Sequence, residues 1–338
     1  MSRKEKKPAA ISAAAASAPI AAPPGAQPGI VVRAYGKFFD VALRDGGPTL
    51  LSTVRGGLKR ERRKTDLVAV GDRVLVTDLG QGEGQIERVE PRARALGRLA
   101  RLTDDVEQVI LANPDQALFL FAVREPAPHL RMLDRFLALA ESRRIPALIG
   151  VNKIDLDVPA PDGGPSLAHA LFGVYETHYP VLYLSAFTGD GVPALRDALA
   201  GKITAVAGPS GVGKSSLLNL LDPEGARAVG ALSGATGKGR HTTSATILRR
   251  LPGASDAYVA DSPGIRALAL HGVTLEDLDT LYPEFRPYLG RCFYPDCTHL
   301  HEPGCAIREA VEEGVIPRVR FESYAALRRG DDDSGRAD

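Results

Sequence analysis

Four short stretches of this sequence carry residue types that together could handle a nucleoside triphosphate. Gly208-Pro209-Ser210-Gly211-Val212-Gly213-Lys214-Ser215-Ser216 fits a Gly-rich phosphate loop. Its backbone N–H groups would surround phosphate oxygens at a helix N-terminus, Lys214 would reach the β and γ oxygens, and the Ser215 hydroxyl would bind Mg2+. Asn152-Lys153-Ile154-Asp155 supplies base choice. An aspartate carboxylate can accept from both the N1–H and the exocyclic amine of guanine. Adenine offers no such donor pair and would leave the carboxylate unpaired. Lys153 can lie along the purine face, Asn152 can hold the loop, and Ser185-Ala186 completes the base side. Asp261-Ser262-Pro263-Gly264 places a carboxylate for the water shell of Mg2+ and a Gly264 N–H for the γ-phosphate.

Between phosphate loop and DxxG loop runs Gly237-Lys238-Gly239-Arg240-His241-Thr242-Thr243-Ser244, where a first switch belongs. Thr242 and Thr243 both offer a second Mg2+ hydroxyl. Thr243 is taken here as the ligand, although spacing alone serves either. Ile265 follows Gly264, at the position where Ras-like enzymes place a water-orienting glutamine. An aliphatic chain cannot orient water, so intrinsic hydrolysis is expected to be slow. His241 is the candidate to take over that task, because imidazole titrates near neutral pH; an exposed loop histidine is the plain alternative.

A second chemistry sits near the C-terminus. Cys292, Cys297, His299 and Cys305 place three thiols and an imidazole within fourteen residues. That set satisfies the tetrahedral preference of one structural Zn2+ and leaves no open catalytic position. All three cysteines of the chain lie in this window, and His301 is the rival histidine.

These groups need elements to position them. Apolar runs at 117–123, 146–151, 180–184 and 203–207 lead into the loops, with helical patterns at 129–142 and 214–221, as in a doubly wound α/β sheet whose ligands bind at the carboxyl ends of strands. The loops occur in a rotated order, however. In an ordinary small GTPase the phosphate loop comes first and NKxD comes late. Here the order is base, base, phosphate, switch, DxxG (G4-G5-G1-G2-G3), which predicts a circularly permuted P-loop GTPase domain over 101–272. The rotation also puts Asp261–Gly264 about thirty residues before Cys292, so movement of that loop is expected to pass into the zinc module.

Short apolar runs broken by Gly predict an all-β barrel of OB type over 30–100. That segment holds 14 basic residues against 9 acids, an excess of five, concentrated in the stretch from Arg55 to Lys64. With few aromatics there, phosphate and shape contacts to structured RNA are expected rather than base stacking. A helical zinc-binding domain is assigned to 273–329, an Ala/Pro-rich disordered tail to 1–29 and an acidic tail to 330–338. The whole chain has 42 Lys+Arg against 41 Asp+Glu, so net charge implies no partner. No apolar run approaches the ~18 residues of a membrane helix. Three cysteines in one cluster argue against a secreted disulfide scaffold. A soluble, cytoplasmic, monomeric protein without membrane contact is expected.

Taken together, these motifs resemble one family, the ribosome small-subunit-dependent GTPase A family (RsgA, also YjeQ). The resemblance covers about residues 30 to 328. It rests on Arg55-Gly56, Val70-Gly71-Asp72-Arg73-Val74, Ala112-Asn113-Pro114-Asp115-Gln116, the base and phosphate loops, Gly239-Arg240-His241-Thr242-Thr243, Asp261–Gly264 and the Cys292/Cys297/His299/Cys305 cluster. It implies GTP hydrolysis to GDP and phosphate, stimulated by the small ribosomal subunit, rRNA binding and a role in late 30S maturation. It also implies that His241 is the catalytic histidine. Ser262 and Ile265 depart from the family's usual threonine and phenylalanine. An assembly placeholder that uses nucleotide only to select its docked shape, and an ATPase, are the competing readings.

Overall fold

The structure, a computed structural model, describes residues 23–56, 66–99, 107–160, 163–224, 246–253, 256–261 and 275–331. The first five strands close a barrel: β1 (Ala26–Tyr35), β2 (Phe38–Leu43), β3 (Thr49–Val54), β4 (Arg73–Gly80) and β5 (Glu83–Val89). They pair in the order β1-β2-β3-β5-β4, with β4 returning to β1. Every pair is antiparallel except β3 with β5. This is the OB-type barrel that the Gly-broken apolar runs predict. Alternation along β3 and β4 sends Leu50, Val54, Val74 and Val76 inward to meet Val31, Val41 and Ile86. One expectation needs correction. β1 begins at Ala26, inside the stretch read as a tail to residue 29. Its first residues pair only with β4, since pairing with β2 starts at Gly29, so Pro28 sits where a strand tolerates a missing N–H. Residues 1–22 and 57–65, which carry most of the tail and of the basic stretch, lie outside the described residues.

The barrel connects to the next sheet through β6 (Ala95–Leu99) and β7 (Glu107–Ala112), an antiparallel pair on either side of residue 100. Motifs from both sides meet here. Gly71 has φ +89°, and a Cβ there would lie 2.1 Å from the Ala112 carbonyl oxygen, so only glycine lets the two backbones approach. Ala112 N–H donates to the Val70 carbonyl at 2.8 Å. Asn113 Nδ2 donates to Gly71 O at 3.2 Å, and its Oδ1 accepts from Ala93 N–H at 2.9 Å. Asp72 is fully buried, accepts from Ala69 N–H, and takes Arg92 in a two-pronged pair at 2.7 Å. Asp115 Oδ2 then caps Ile203 N–H at 2.8 Å, reaching the strand that enters the phosphate loop.

A six-stranded sheet forms the middle of the molecule, in the order β10 (Val181–Tyr183), β9 (Ala147–Asn152), β8 (Gln116–Ala122), β11 (Ile203–Ala207), β13 (Tyr258–Asp261), β12 (Ile247–Arg250). All pairs are parallel except the edge strand β12 against β13. Every residue of β8 is buried. Phe119 and Phe121 face one side, against Leu133, Phe136 and Leu137 of α1 (Leu130–Ser142) and Phe172 of α2 (Leu167–Phe172). Leu118 and Leu120 face the other, against Leu195 of α3 (Val192–Leu199) and Leu217 and Leu218 of α4 (Lys214–Leu221). The continuous apolar run of this strand thus serves two cores. His129 caps α1, its Nδ1 accepting from Met132 N–H at 3.2 Å.

The C-terminal module contains 3-10 helices at Leu275–Leu281 and Pro283–Tyr288, then α5 (Ala306–Glu312) and α6 (Arg318–Arg329), which ends on left-handed Gly330. Its core of Leu278, Tyr282, Phe285, Ile307 and Tyr324 includes Ala138 of α1, so it packs directly on the central domain. Arg320 fastens that contact. It is 3% exposed, donates to Glu284 Oε1 at 2.6 Å and to Asp134 Oδ1 on α1, and lies 4.7 Å from the Tyr282 ring centre. Tyr175 Oη also donates to Asp134, at 2.9 Å. Burial raises the pKa of the Asp134 carboxyl against the opposing pull of Arg320. Arg320→Ala would leave two buried carboxylates without their counter-charge. It should lower unfolding stability by about 3–5 kcal/mol in denaturant titrations.

Candidate functional site

The base and phosphate loops converge at the carboxyl ends of β9, β10 and β11 through one side chain. Asn152, the last residue of β9, is fully buried. Its Nδ2 donates to Val212 O in the phosphate loop at 2.8 Å, and its Oδ1 accepts from Ala186 N–H at 2.9 Å. Gly213 makes room for it: φ is +94°, and a Cβ there would lie 2.3 Å from Asn152 Nδ2. Ser185 Oγ donates to Asp155 Oδ1 and accepts from the N–H groups of Phe187 and Thr188 at 3.2 and 3.1 Å. That hydroxyl orients the carboxylate proposed to read guanine, while Asp155 itself is exposed. Lys153 takes the left-handed conformation at φ 63° and donates its ammonium to the Glu125 carbonyl.

The phosphate loop runs from buried Gly208, past exposed Ser210 and Gly211, to α4. Lys214 Nζ donates to the carbonyls of Gly208 and Pro209 at 3.0 and 2.5 Å, which holds the ammonium within the loop. Val212 is buried under the loop, and Ser215 and Ser216 lie exposed on the first turn of α4. Asp261 ends β13, next to β11. Gly264, His241, Thr242, Thr243 and residues 265–274, the first part of the stretch between the DxxG loop and Cys292, lie outside the described residues. The structure also adds residues that the motifs do not name. The loop after β8 reaches the site through the Glu125 carbonyl and through Pro126, whose Cδ would be 3.6 Å from a Cβ at Gly211. Asp190 closes the Ser185 loop, its carbonyl accepting from Ser185 N–H at 2.9 Å and its carboxylate from Thr188 Oγ1 at 2.7 Å. A Thr-Gly-Asp-Gly run is the ordinary composition of a tight turn, so nothing in sequence singled Asp190 out.

The Cys/His cluster is assembled as the spacing predicts. One ligand atom from each of Cys292, Cys297, His299 and Cys305 lies within 4.8 Å of the others. Cys292 and Cys305 sulfurs are 3.9 Å apart, and His299 Nδ1 is 3.5 and 3.4 Å from them. A tetrahedral ion with sulfur at about 2.3 Å and nitrogen at about 2.0 Å holds sulfurs about 3.8 Å apart, and sulfur and nitrogen about 3.5 Å apart. The donor set and its spacing therefore fit zinc. Without a cation, burial pushes the Cys297 thiol up to about 12, with the neighbouring cysteines adding to the rise. His301, the rival histidine, is exposed and outside the cluster.

The RsgA GTPase family model matches residues 89–271. The chain belongs to the RsgA GTPase family. Over 303 residues it is 41% identical to the "Small ribosomal subunit biogenesis GTPase RsgA" of Gemmatimonas aurantiaca, covering 89% of this chain and 96% of that one. The protein of the same name from Chlorobaculum tepidum is 40% identical over 308 residues, 88% of this chain and 96% of that one. Two crystal structures share the architecture. YjeQ from Thermotoga maritima superposes with a TM-score of 0.72 at 32% identity, covering 90% of this chain and 98% of that one. YloQ, a circularly permuted GTPase, gives 0.69 at 27% identity, with coverages of 90% and 94%. The permuted order is thus that of a known fold, and members of this family are GTP hydrolases.

Asn152→Ala would delete two buried hydrogen bonds worth about 0.5–1.5 kcal/mol each. Unfolding stability should fall by about 1–3 kcal/mol, and the Ala186 amide should exchange with deuterium faster than in the parent.

Proposed function

We propose that this chain binds GTP with Mg2+, hydrolyses it to GDP and phosphate slowly on its own, and does so faster on the small ribosomal subunit, where it acts in late maturation. The observation that carries this reading is the Asn152 bridge, which joins a guanine-type loop to a phosphate loop in a chain of this family. Its relatives' shared name, small ribosomal subunit biogenesis GTPase, supports the choice of partner.

In this reading Asp155 selects guanine, Ser185 orients it, and Lys153 covers the base. The phosphate loop from Gly208 to Ser216 holds the triphosphate. Ser215 and Thr243 would hold Mg2+, which neutralises charge on the phosphates when bound. Asp261 would hold the water shell of Mg2+, the Gly264 N–H would face the γ-phosphate, and His241 would position the attacking water. The barrel over 30–100 would contact rRNA, 101–272 would form the GTPase domain, and 273–329 would hold one structural Zn2+ on Cys292, Cys297, His299 and Cys305. A cytoplasmic monomer fits this role, and no described helix is long and apolar enough to cross a membrane.

Four measurements test it. GTP turnover should rise when purified small subunits are added, and the rise should shrink steeply with salt, as phosphate contacts require. Turnover that never exceeds that of the free protein would leave an assembly placeholder as the function. His241→Ala should abolish most of the stimulated rate while leaving nucleotide affinity near that of the parent. Asp155→Ala removes two charge-assisted hydrogen bonds to guanine, so GTP affinity should drop by about two to four orders of magnitude. Equal displacement of bound GTP by ATP and GTP in the unaltered protein would defeat the base-selection argument.

A further inference from the structure

We infer that Asp279 is a positioning residue for the zinc centre, fixing His299 as a metal ligand through its Nδ1. The inference rests on the zinc reading given above. His299 turns Nδ1 toward the Cys292 and Cys305 sulfurs. If Nδ1 carries the metal, Nε2 must carry the proton, and His299 is only 4% exposed. A buried N–H needs an acceptor, and metal-bound imidazoles meet that need with a carboxylate, carbonyl or water. Asp279 Oδ2 lies 3.5 Å from Nε2. Its other oxygen accepts from Thr280 N–H at 2.9 Å, which sets the rotation of the carboxylate and points Oδ2 at the ring.

Glu302, an acid within the knuckle, has different work. Glu302 accepts from the N–H groups of Thr298, Leu300 and His301 and from the Thr298 hydroxyl, and its Oε2 lies 3.7 Å from Cys297 Sγ. It organises the turn that carries Cys297 and His299, and its oxygens are committed to that backbone. Asp279 approaches from outside the knuckle, on the 3-10 helix Leu275–Leu281. That helix is the first described element after Asp261, and it packs against α1 and α6. The carboxylate therefore ties the ligand shell to the segment through which the chain leaves the DxxG loop. The ring is held in one tautomer and one orientation, and its basicity toward the metal rises.

The test uses the full-length protein with Zn2+ and Co2+ as probes. Elemental analysis of the unaltered chain comes first: less than one zinc per chain would defeat the zinc reading itself. Given one zinc, Asp279→Ala should weaken Zn2+ retention against a competing chelator about 10- to 100-fold. It should also shift the ligand-field bands of the Co2+ protein. Asp279→Asn keeps the shape and one acceptor, and should lose less; it also carries the test if the alanine variant does not fold. The deciding arm is a His299→Cys background, whose thiolate has no second ring nitrogen to satisfy. There Asp279→Asn should change neither retention nor spectrum. An equal loss in both backgrounds would mean that Asp279 acts through helix packing, and no loss in either would mean that it does not touch the site. Either result overturns the inference.

Discussion

The two hydrogen bonds of the Asn152 amide are the constraint on which the nucleotide site depends. One side chain at the end of β9 joins the phosphate loop after β11 and the Ser185-Ala186 loop before α3. These loops are separated by tens of residues in the chain, and in this rotated order no short connection holds them together. A buried amide with neither bond would cost stability outright, so the geometry that satisfies Asn152 is also the geometry that aligns the loops. Gly213 is part of the same device, because any side chain there would enter the space the amide occupies.

Around this centre the other modules are attached by buried polar groups at defined points. The barrel is joined through Gly71, the Asp72–Arg92 pair and Asn113, and Asp115 extends that junction to the strand entering the phosphate loop. The C-terminal module is joined through Arg320, which lies between Asp134 of α1 and Glu284 of its own 3-10 helix. Such pairs add little net stability over apolar packing, but they are intolerant of misplacement. They fix where the barrel and the Cys/His module sit relative to the base and phosphate loops.

The Cys/His module shows the same economy at smaller scale. Its apolar core is a few aromatic and aliphatic side chains, one of them borrowed from α1. Three thiols and an imidazole are brought to a spacing that fits a tetrahedral cation, and a metal bound at such a site contributes directly to folding. Glu302 and Asp279 approach this cluster from two directions, one from within the knuckle and one from the 3-10 helix Leu275–Leu281.

The candidate site was legible in the sequence because the chemistry proposed for it depends on residue type at fixed spacing. The glycines and lysine of 208–214, the carboxylate of Asp155 and the four Cys/His ligands can each be read from a window of fewer than fifteen residues. The rotated motif order and the barrel were legible for the same reason, since strand periodicity and loop composition are local. What sequence could not show depends on groups far apart in the chain meeting in space. Asn152 looked like a loop-holding residue, but its two partners follow only from the neighbouring strand ends. Val70–Val74 and Ala112–Gln116 served as family markers without a reason until the Gly71–Ala112 approach supplied one. No local pattern singles out Arg320, Glu284, Asp134 or Asp279, whose partners come from distant segments. The start of β1 at Ala26 was hidden because the Ala/Pro composition there resembles a tail, and only pairing with β4 makes it a strand. Local windows fix which groups can act. The tertiary fold decides which of them are buried together, and burial makes a polar contact strong enough to matter.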